Sequence, residues 1–456
     1  MLDCYAVDGA DGAIPLIPVT RKTLDGWLES QPERVRRWVE AAGFTGKANS
    51  RLRLPGEDGG LDAVLLGVHD AGDAWPFGGA AGKLPAGTYR VEADWDAEAL
   101  KRVAVAWGLG AYRYARYKES NREPARLLVT DAEPIEAVVR SAYLVRDLIN
   151  TPAQDMMPED LAAAARDLAT AFGGEFNEVV GDELLTENYP AIHAVGRASV
   201  HEPRLLDLRW GDEGAPQVTL VGKGVCFDSG GLDIKPANGM RQMKKDMGGA
   251  AHALGLARLI MAHELPVRLR VLIGAAENAI SGNAFRPGDV LNTRKGLTVE
   301  VDNTDAEGRL VICDPLAESA ADEPELLIDF ATLTGAARVA LGTEVPAFFT
   351  NSDEVAAGLM AASETEDDPI WRLPLHKPYR AELESSIADL VNCSSGPFGG
   401  AITAALFLQR FVPKDVDWVH FDLMAWNMRA RPGRPKGGEA MGLYAAFRYL
   451  SERFGD

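Results

Sequence analysis

"QVTLVGKGVCFDSGGLDIKP", residues 217–236, decides how this chain is read. Its first eight residues (217–224) are mostly apolar or small, the pattern of a strand buried on both faces, and they carry Lys223. A glycine pair then breaks the run, leaving Asp228 and Lys235 in the connection that follows. The next segment, "DMGGAAHALGLARLIMAHE" (246–264), reads as a helix. The same alternation continues in both directions. "RLLDLRW" (204–210), "LRVLIGAAEN" (269–278), "LTVEVDN" (297–303), "ELLIDFATLTG" (325–335) and "DWVHFDLMAW" (417–426) are β-like, whereas 308–321 and 399–412 are helix-like. Strands alternating with helices predict an α/β fold, with a mostly parallel central sheet flanked by helices. In such a sheet, ligands gather at the carboxyl ends of the strands.

Upstream the pattern is less regular. Residues 1–133 are expected to form a smaller N-terminal α/β domain, with strands at 61–70 and 125–131 and a helix at 97–117. "PIEAVVRSAYLVRDLIN" (134–150) has helical spacing and stops at "NTP", so 134–155 reads as a helical connector. A new helix begins with Pro158 in its first turn and opens the larger domain, 156–456.

Composition narrows the partners. The 456 residues are 46% hydrophobic and 25% charged, as in a globular protein. Lys+Arg number 47 against 67 Asp+Glu, a net charge of −20 that repels nucleic acid and anionic membranes. No run of 18 apolar residues predicts a membrane span, and "MLDCYAVDGADGAIPL" lacks the features of a signal peptide. The four cysteines (Cys4, Cys226, Cys313, Cys393) are scattered without a CxxC pair, which suits reduced thiols in the cytoplasm.

Chemistry concentrates at strand-to-loop transitions. Lys223, Asp228 and Lys235 leave one strand; Asp246 precedes a helix; "VDNTDAEGRL" (301–310) adds Asp302, Asp305, Glu307 and Arg309. Asp305 and Glu307 are two apart, so an extended backbone would point both, with Arg309, to one face. A solvated turn is the ordinary reading of such a run. Four converging carboxylates, however, cannot all stay ionised without compensation, and one or two divalent cations would supply it. The lysines either salt-bridge these carboxylates or, with a pKa depressed by a dication, ligate the metal; the residues alone leave both readings open.

Other motifs fit poorly. "GKG" (222–224) lacks the first glycine and the Ser/Thr of a phosphate loop, and Phe227 stands where a dinucleotide fingerprint needs glycine. Ser229 lacks the glycine two before it that a nucleophile elbow requires, and no HExxH occurs. His252 and His263 read as core or surface residues of a helix. "NTDAEGRLVICD" (303–314) resembles a calcium loop, but Asn303 and Asp314 stand at its first and last positions and a strand precedes it.

"VGKGVCFDSGGLDIKP", "MKKDMGGAA", "NTDAEGRL" and "ATLTGA" together resemble the motifs of the leucyl (cytosol) aminopeptidases, peptidase family M17, in order and separation across roughly residues 140–450. The resemblance implies a metal-dependent exopeptidase that hydrolyses an N-terminal, leucine-like residue from short peptides. It further implies two divalent ions, Mn2+ or Zn2+, held by Lys223, Asp228, Asp246, Asp305 and Glu307, with Asp228 and Glu307 bridging them. Lys235 and Arg309 match the catalytic positions, Arg309 as the holder of a bicarbonate general base; Met243 and Thr332 match substrate-pocket positions. Asp302 has no counterpart. Residues 156–456 would be the catalytic domain, and the assembly a homo-hexamer of two stacked trimers. One departure is "KGGEAMG" (436–442), where Ala440 and Met441 replace a glycine-rich closing segment that helps line the side-chain pocket.

Overall fold

A computed structural model of the chain describes residues 1–9, 11–118 and 123–455, which divide into two bodies. The first comprises residues 1–143 together with 428–436. Its six strands are β1 (Tyr5–Ala6), β2 (Ile14–Val19), β3 (Arg51–Pro55), β4 (Leu61–Gly67), β5 (Gly87–Val91) and β6 (Ala125–Leu128). They lie in the order β1-β6-β5-β2-β4-β3, all parallel except the β3–β4 pair. Helices α1 (Leu24–Glu29), α2 (Glu33–Ala41), α3 (Trp75–Ala81) and α4 (Ala97–Ala111) accompany them. Leu16, Val64, Phe77, Tyr89, Val103 and Trp107 fill the core of this body. Segment 428–436 belongs here by contact: the Arg434 guanidinium lies 4.6 Å from the centre of the Trp75 ring. The helix expected at 97–117 stops at Ala111, because Tyr112 turns to an extended backbone with ψ 135°.

Helix α5 (Glu133–Asn150) spans the boundary in sequence between the bodies. The second body contains α6 (Pro158–Ala171), β7 (Glu175–Val180), α7 (Glu183–Thr186), α8 (Pro190–Gly196), β8 (Arg204–Trp210), β9 (Gln217–Asp228), α9 (Ala237–Met240), α10 (Gly248–Ala262), β10 (Arg268–Asn278), β11 (Val290–Asn292) and β12 (Thr298–Glu300). It continues with α11 (Gly308–Glu318), β13 (Leu326–Ala331), α12 (Gly335–Leu341), β14 (Ala347–Thr350), α13 (Asp353–Glu366), β15 (Trp371–Arg372), β16 (Leu390–Val391), α14 (Gly400–Gln409), β17 (Asp417–Asp422), β18 (Trp426–Asn427), β19 (Gly437–Gly438) and α15 (Leu443–Phe454).

Eight of these strands form the main sheet, in the order β15-β14-β17-β13-β9-β10-β8-β7. The four central strands, β17, β13, β9 and β10, run parallel, and antiparallel pairs extend the sheet on either side. The sheet is therefore mostly parallel at its centre, as the alternation predicts. Of the twelve residues of β9 only Phe227 is not fully buried. Backbone contact explains the glycines around it. A methyl group at Gly249, in the first turn of α10, would meet the Phe330 carbonyl oxygen at 2.1 Å and the Lys223 nitrogen at 2.9 Å. The start of α10 thus lies directly on the sheet beside Lys223, an approach that larger residues would prevent. Among the described residues, no helix is long and apolar enough to cross a membrane, and all four cysteines are free thiols.

Candidate active site

Strand β9 carries Lys223 within the sheet and ends at Asp228, so both side chains come from one rigid element at the carboxyl edge. Lys223 is 3% exposed. Its Nζ lies 2.5 Å from Asp246 Oδ2 and 3.0 Å from Glu307 Oε1. Asp246 arrives on a short 3-10 turn, Met243–Met247, just ahead of α10.

Asp228 is held on both oxygens. Oδ1 accepts from the Gly230 N–H at 2.8 Å and from Asn278 Nδ2 at 2.9 Å, while Oδ2 lies 2.8 Å from Lys235 Nζ. Lys235 also pairs with Asp305. The loop bearing Lys235 is laced to the one bearing Asp305: the Thr304 hydroxyl donates to the Gly230 carbonyl at 2.6 Å, and Asp233 accepts from the Thr304 N–H at 2.7 Å.

Residues 301–307 do not form the extended face expected of them. β12 ends at Glu300, a turn follows in which the Ala306 N–H donates to the Asn303 carbonyl, and Glu307 caps α11 with helical torsions. The turn, rather than a strand's two-residue period, brings Asp305 and Glu307 together. Arg309 follows in the first turn of α11, 6% exposed. Its Nε and Nη1 have no hydrogen-bond partner among the described residues, and the guanidinium sits 5.9 Å from the centre of the Phe407 ring. Asp302 is exposed, and its backbone is fixed by Asn392. The calcium-loop alternative fails here, because residues 308–318 are helix and Asp314 is buried accepting from the Ala191 and Arg294 N–H groups, both at 2.8 Å.

One oxygen from each of Asp228, Asp305 and Glu307 lies within 4.8 Å of the others, close enough for the three to hold a metal ion together. The charges are strained. Burial, reinforced by Asp228, pushes the Glu307 carboxyl up to about 8 and that of Asp305 up to about 6. Burial acts the same way on Asp246, but Lys223 and Lys245 outweigh it and hold that carboxyl below the usual range. Burial disfavours the Lys223 ammonium, yet Asp246, Glu307 and Asp228 overcome it and raise its pKa. Glu307 is 1% exposed, and among the described residues neither carboxylate oxygen receives a hydrogen bond; Oε1 has only the ion-pair approach of Lys223. A buried carboxylate lacking donors is costly, and a divalent cation relieves that cost. The donor set fits such an ion.

The remaining expected residues lie close by. Thr332 is buried, its hydroxyl 2.8 Å from Asp246 Oδ1 and its carbonyl 3.4 Å from Lys223 Nζ. Met243 is half-buried at the start of the Asp246 turn. Sequence reasoning passed over three residues. Lys245 is buried 3.5 Å from Asp246 Oδ1, Asn278 orients Asp228, and Asn392 ties the 301–306 turn by donating to the Asn303 carbonyl at 2.8 Å. Only Lys245, next to Asp246 in "MKKDM", carried a charge that could have marked it.

A family model described as the cytosol aminopeptidase family, catalytic domain, matches residues 143–446, and one for the M17 aminopeptidase N-terminal domain matches 14–130. The chain is 42% identical over 356 residues to a probable cytosol aminopeptidase of Roseiflexus castenholzii, covering 74% of this chain and 72% of that one. Its structure resembles the crystal structure of a cytosol aminopeptidase from Coxiella burnetii, with a TM-score of 0.97 and 50% identity, over 99% of this chain and 100% of that one. A bottromycin maturation enzyme in complex with Mn is similar at a TM-score of 0.86 and 34% identity, over 97% of this chain and 99% of that one.

Proposed function

The chain belongs to the cytosol aminopeptidase family of metal-dependent hydrolases acting on N-terminal residues of peptides, and on that premise we propose that it releases an apolar, leucine-like residue from short peptides using water activated by two divalent metals. Lys223, Asp228, Asp246, Asp305 and Glu307 would hold the pair, as Mn2+ or Zn2+. When bound, such a pair lowers the pKa of a shared water and polarises the scissile carbonyl. For Lys223 to serve as a ligand, its Nζ, now an ammonium beside Asp246 and Glu307, must lose a proton.

The chain's own groups divide the remaining work. Lys235 Nζ, kept protonated by Asp228 and Asp305, offers positive charge to the oxyanion that develops on the carbonyl oxygen. These motifs contain no histidine to accept the water's proton. The unpaired Nε–H and Nη1–H of Arg309 suit an anion such as bicarbonate, which could take that proton. Met243 and Thr332 would border the side-chain pocket. We assign catalysis to residues 156–456 apart from 428–436, which group with the first body, reached through the connector 134–155, with 1–133 as a separate domain; a homo-hexamer in the cytoplasm completes the reading.

The observation that carries it is Glu307, buried without a hydrogen-bond donor beside Asp228 and Asp305. Metal analysis coupled to a panel of aminoacyl substrates tests it. Two equivalents of metal and a preference for leucine-like residues are expected. A Glu307→Ala protein that is folded and fully active would refute it.

A further inference from the structure

A second charged site lies at the other edge of the main sheet. β14 runs antiparallel to β17, pairing Thr350 with Val419, whereas β17, β13 and β9 run parallel. The carboxyl end of β14 therefore faces away from the edge where β9 delivers Asp228. β15 pairs parallel with β14, so Thr350 and Arg372 end two adjacent parallel strands. Ligands favour such strand ends.

A depression of about 740 Å³ opens there, bordered by Thr350, Arg372, Lys377, Arg380, Gln409 and Lys414. Four cations around one hollow stand out in a chain of net charge −20. Their compensation is slight. Arg372 pairs at 2.7 Å with Asp353, a carboxylate 93% exposed, and Arg380 donates to the neutral Gln409 amide at 2.8 Å. Lys377 and Lys414 have no acidic partner among the described residues. Lys295, outside the lining, donates at 2.6 Å to the carbonyl of Arg410, the residue after Gln409. A helix C-terminus attracts cations, which accounts for Lys295 beside the end of α14, but Arg372 ends β15 and Lys377 begins a separate 3-10 turn.

We propose that this depression binds a multiply charged oxyanion of the phosphate type. Two guanidinium forks match phosphate oxygens in pairs, two ammonium groups add point charge, and the Thr350 hydroxyl can donate. The volume exceeds that of a lone phosphate and falls within the range of small-molecule sites. Leu373 and Leu375 give it an apolar side, so an organic molecule bearing the phosphate fits as well as the free anion.

The test is titration calorimetry on the whole metal-loaded protein with sodium sulfate, inorganic phosphate and a hexose monophosphate, at ionic strength held constant with chloride. Sulfate serves as the dianion that does not strip metal. Saturable binding of one equivalent is expected, weakened at least about tenfold in a Lys377→Glu/Lys414→Glu protein whose kcat is unchanged. Tighter binding of the hexose monophosphate than of phosphate names an organic phosphate as the ligand; equal binding names the free anion. Affinity undiminished in the variant, or no saturable heat beyond chloride, overturns the site.

Discussion

Gly308 gives Lys223 its room: a methyl group added at Gly308 would lie 2.5 Å from Lys223 Cε and 2.6 Å from Nζ. Lys223 cannot swing away freely, since Asp246 and Glu307 pin its ammonium on two sides. The glycine that starts α11 is thus a spacer for a lysine that comes from β9.

Gly308→Ala should therefore damage activity more than stability. Alanine is the better helix former by about 1 kcal/mol, which offsets part of the crowding. A displacement near 1 Å at the site costs about a hundredfold in rate. Steady-state kinetics and a thermal scan on the same preparation check this; kcat/KM within threefold of the parent would show that the lysine's placement is immaterial.

Removing bound metal with a chelator should abolish turnover and lower Tm, with Mn2+ or Zn2+ restoring both. Ligand saturated at a hundred times its Kd stabilises a fold by about 2.7 kcal/mol. In Glu307→Gln the chelator-induced shift should shrink, because the residue bordering both Lys223 and the Asp228–Asp305 pair no longer carries charge. Differential scanning calorimetry with and without metal measures it, and an identical shift in the two proteins would contradict the assignment of Glu307.

Acid sensitivity should trace in part to His252. The imidazole is fully buried, with Nδ1 2.6 Å from the Gly248 carbonyl and Nε2 2.9 Å from the Met441 N–H, which fixes it as the neutral Nδ1–H tautomer. Burial lowers its pKa to about 4 from 6.5. The unfolded chain therefore binds the proton more readily. Stability from this group is full above pH about 6.5 and is lost as pH falls toward 4, at most on the order of 3 kcal/mol. His252→Gln should flatten the Tm profile across that window; a profile of unchanged slope would exonerate the histidine.

Arg146 and Glu439 form a buried pair, 0% and 3% exposed in their side chains, with Nη2 2.9 Å from Oε1 and Asn427 donating to the same carboxylate. Arg146→Met leaves that carboxylate unpaired and should cost about 3–5 kcal/mol. The double replacement Arg146→Met/Glu439→Met should cost less than the single one. Denaturant midpoints for the three proteins decide the matter, and additive losses would mean the two residues act independently.

The centre of the larger body was legible because β9, β10 and β13 are mostly apolar or small residues, each followed by turn residues, and because β17, though half polar, recurs at the spacing of the same strand–helix alternation. The smaller body was legible only in part: β4, α4 and β6 fall where the sequence places them, but the other strands of its sheet leave no clear pattern. Its central strand β2 holds Pro15 and Pro18, which read as strand breakers, and its burial does not alternate. β1 has two residues and β5 five, too short to show a period. The charged residues of the site could be found by their crowding at strand ends. Asn278 and Asn392, which orient those charges through hydrogen bonds from 26 to 90 positions away, leave no local pattern to read.

Segment 428–436 groups with residues 1–143, although almost three hundred positions separate them in the chain. During synthesis the first body consequently emerges without one of its own pieces, and that piece leaves the ribosome only when translation is nearly finished. The domain made first is therefore among the last to be completed, and a nascent chain that stalls before residue 428 exposes the surface around Trp75 that Arg434 would cover.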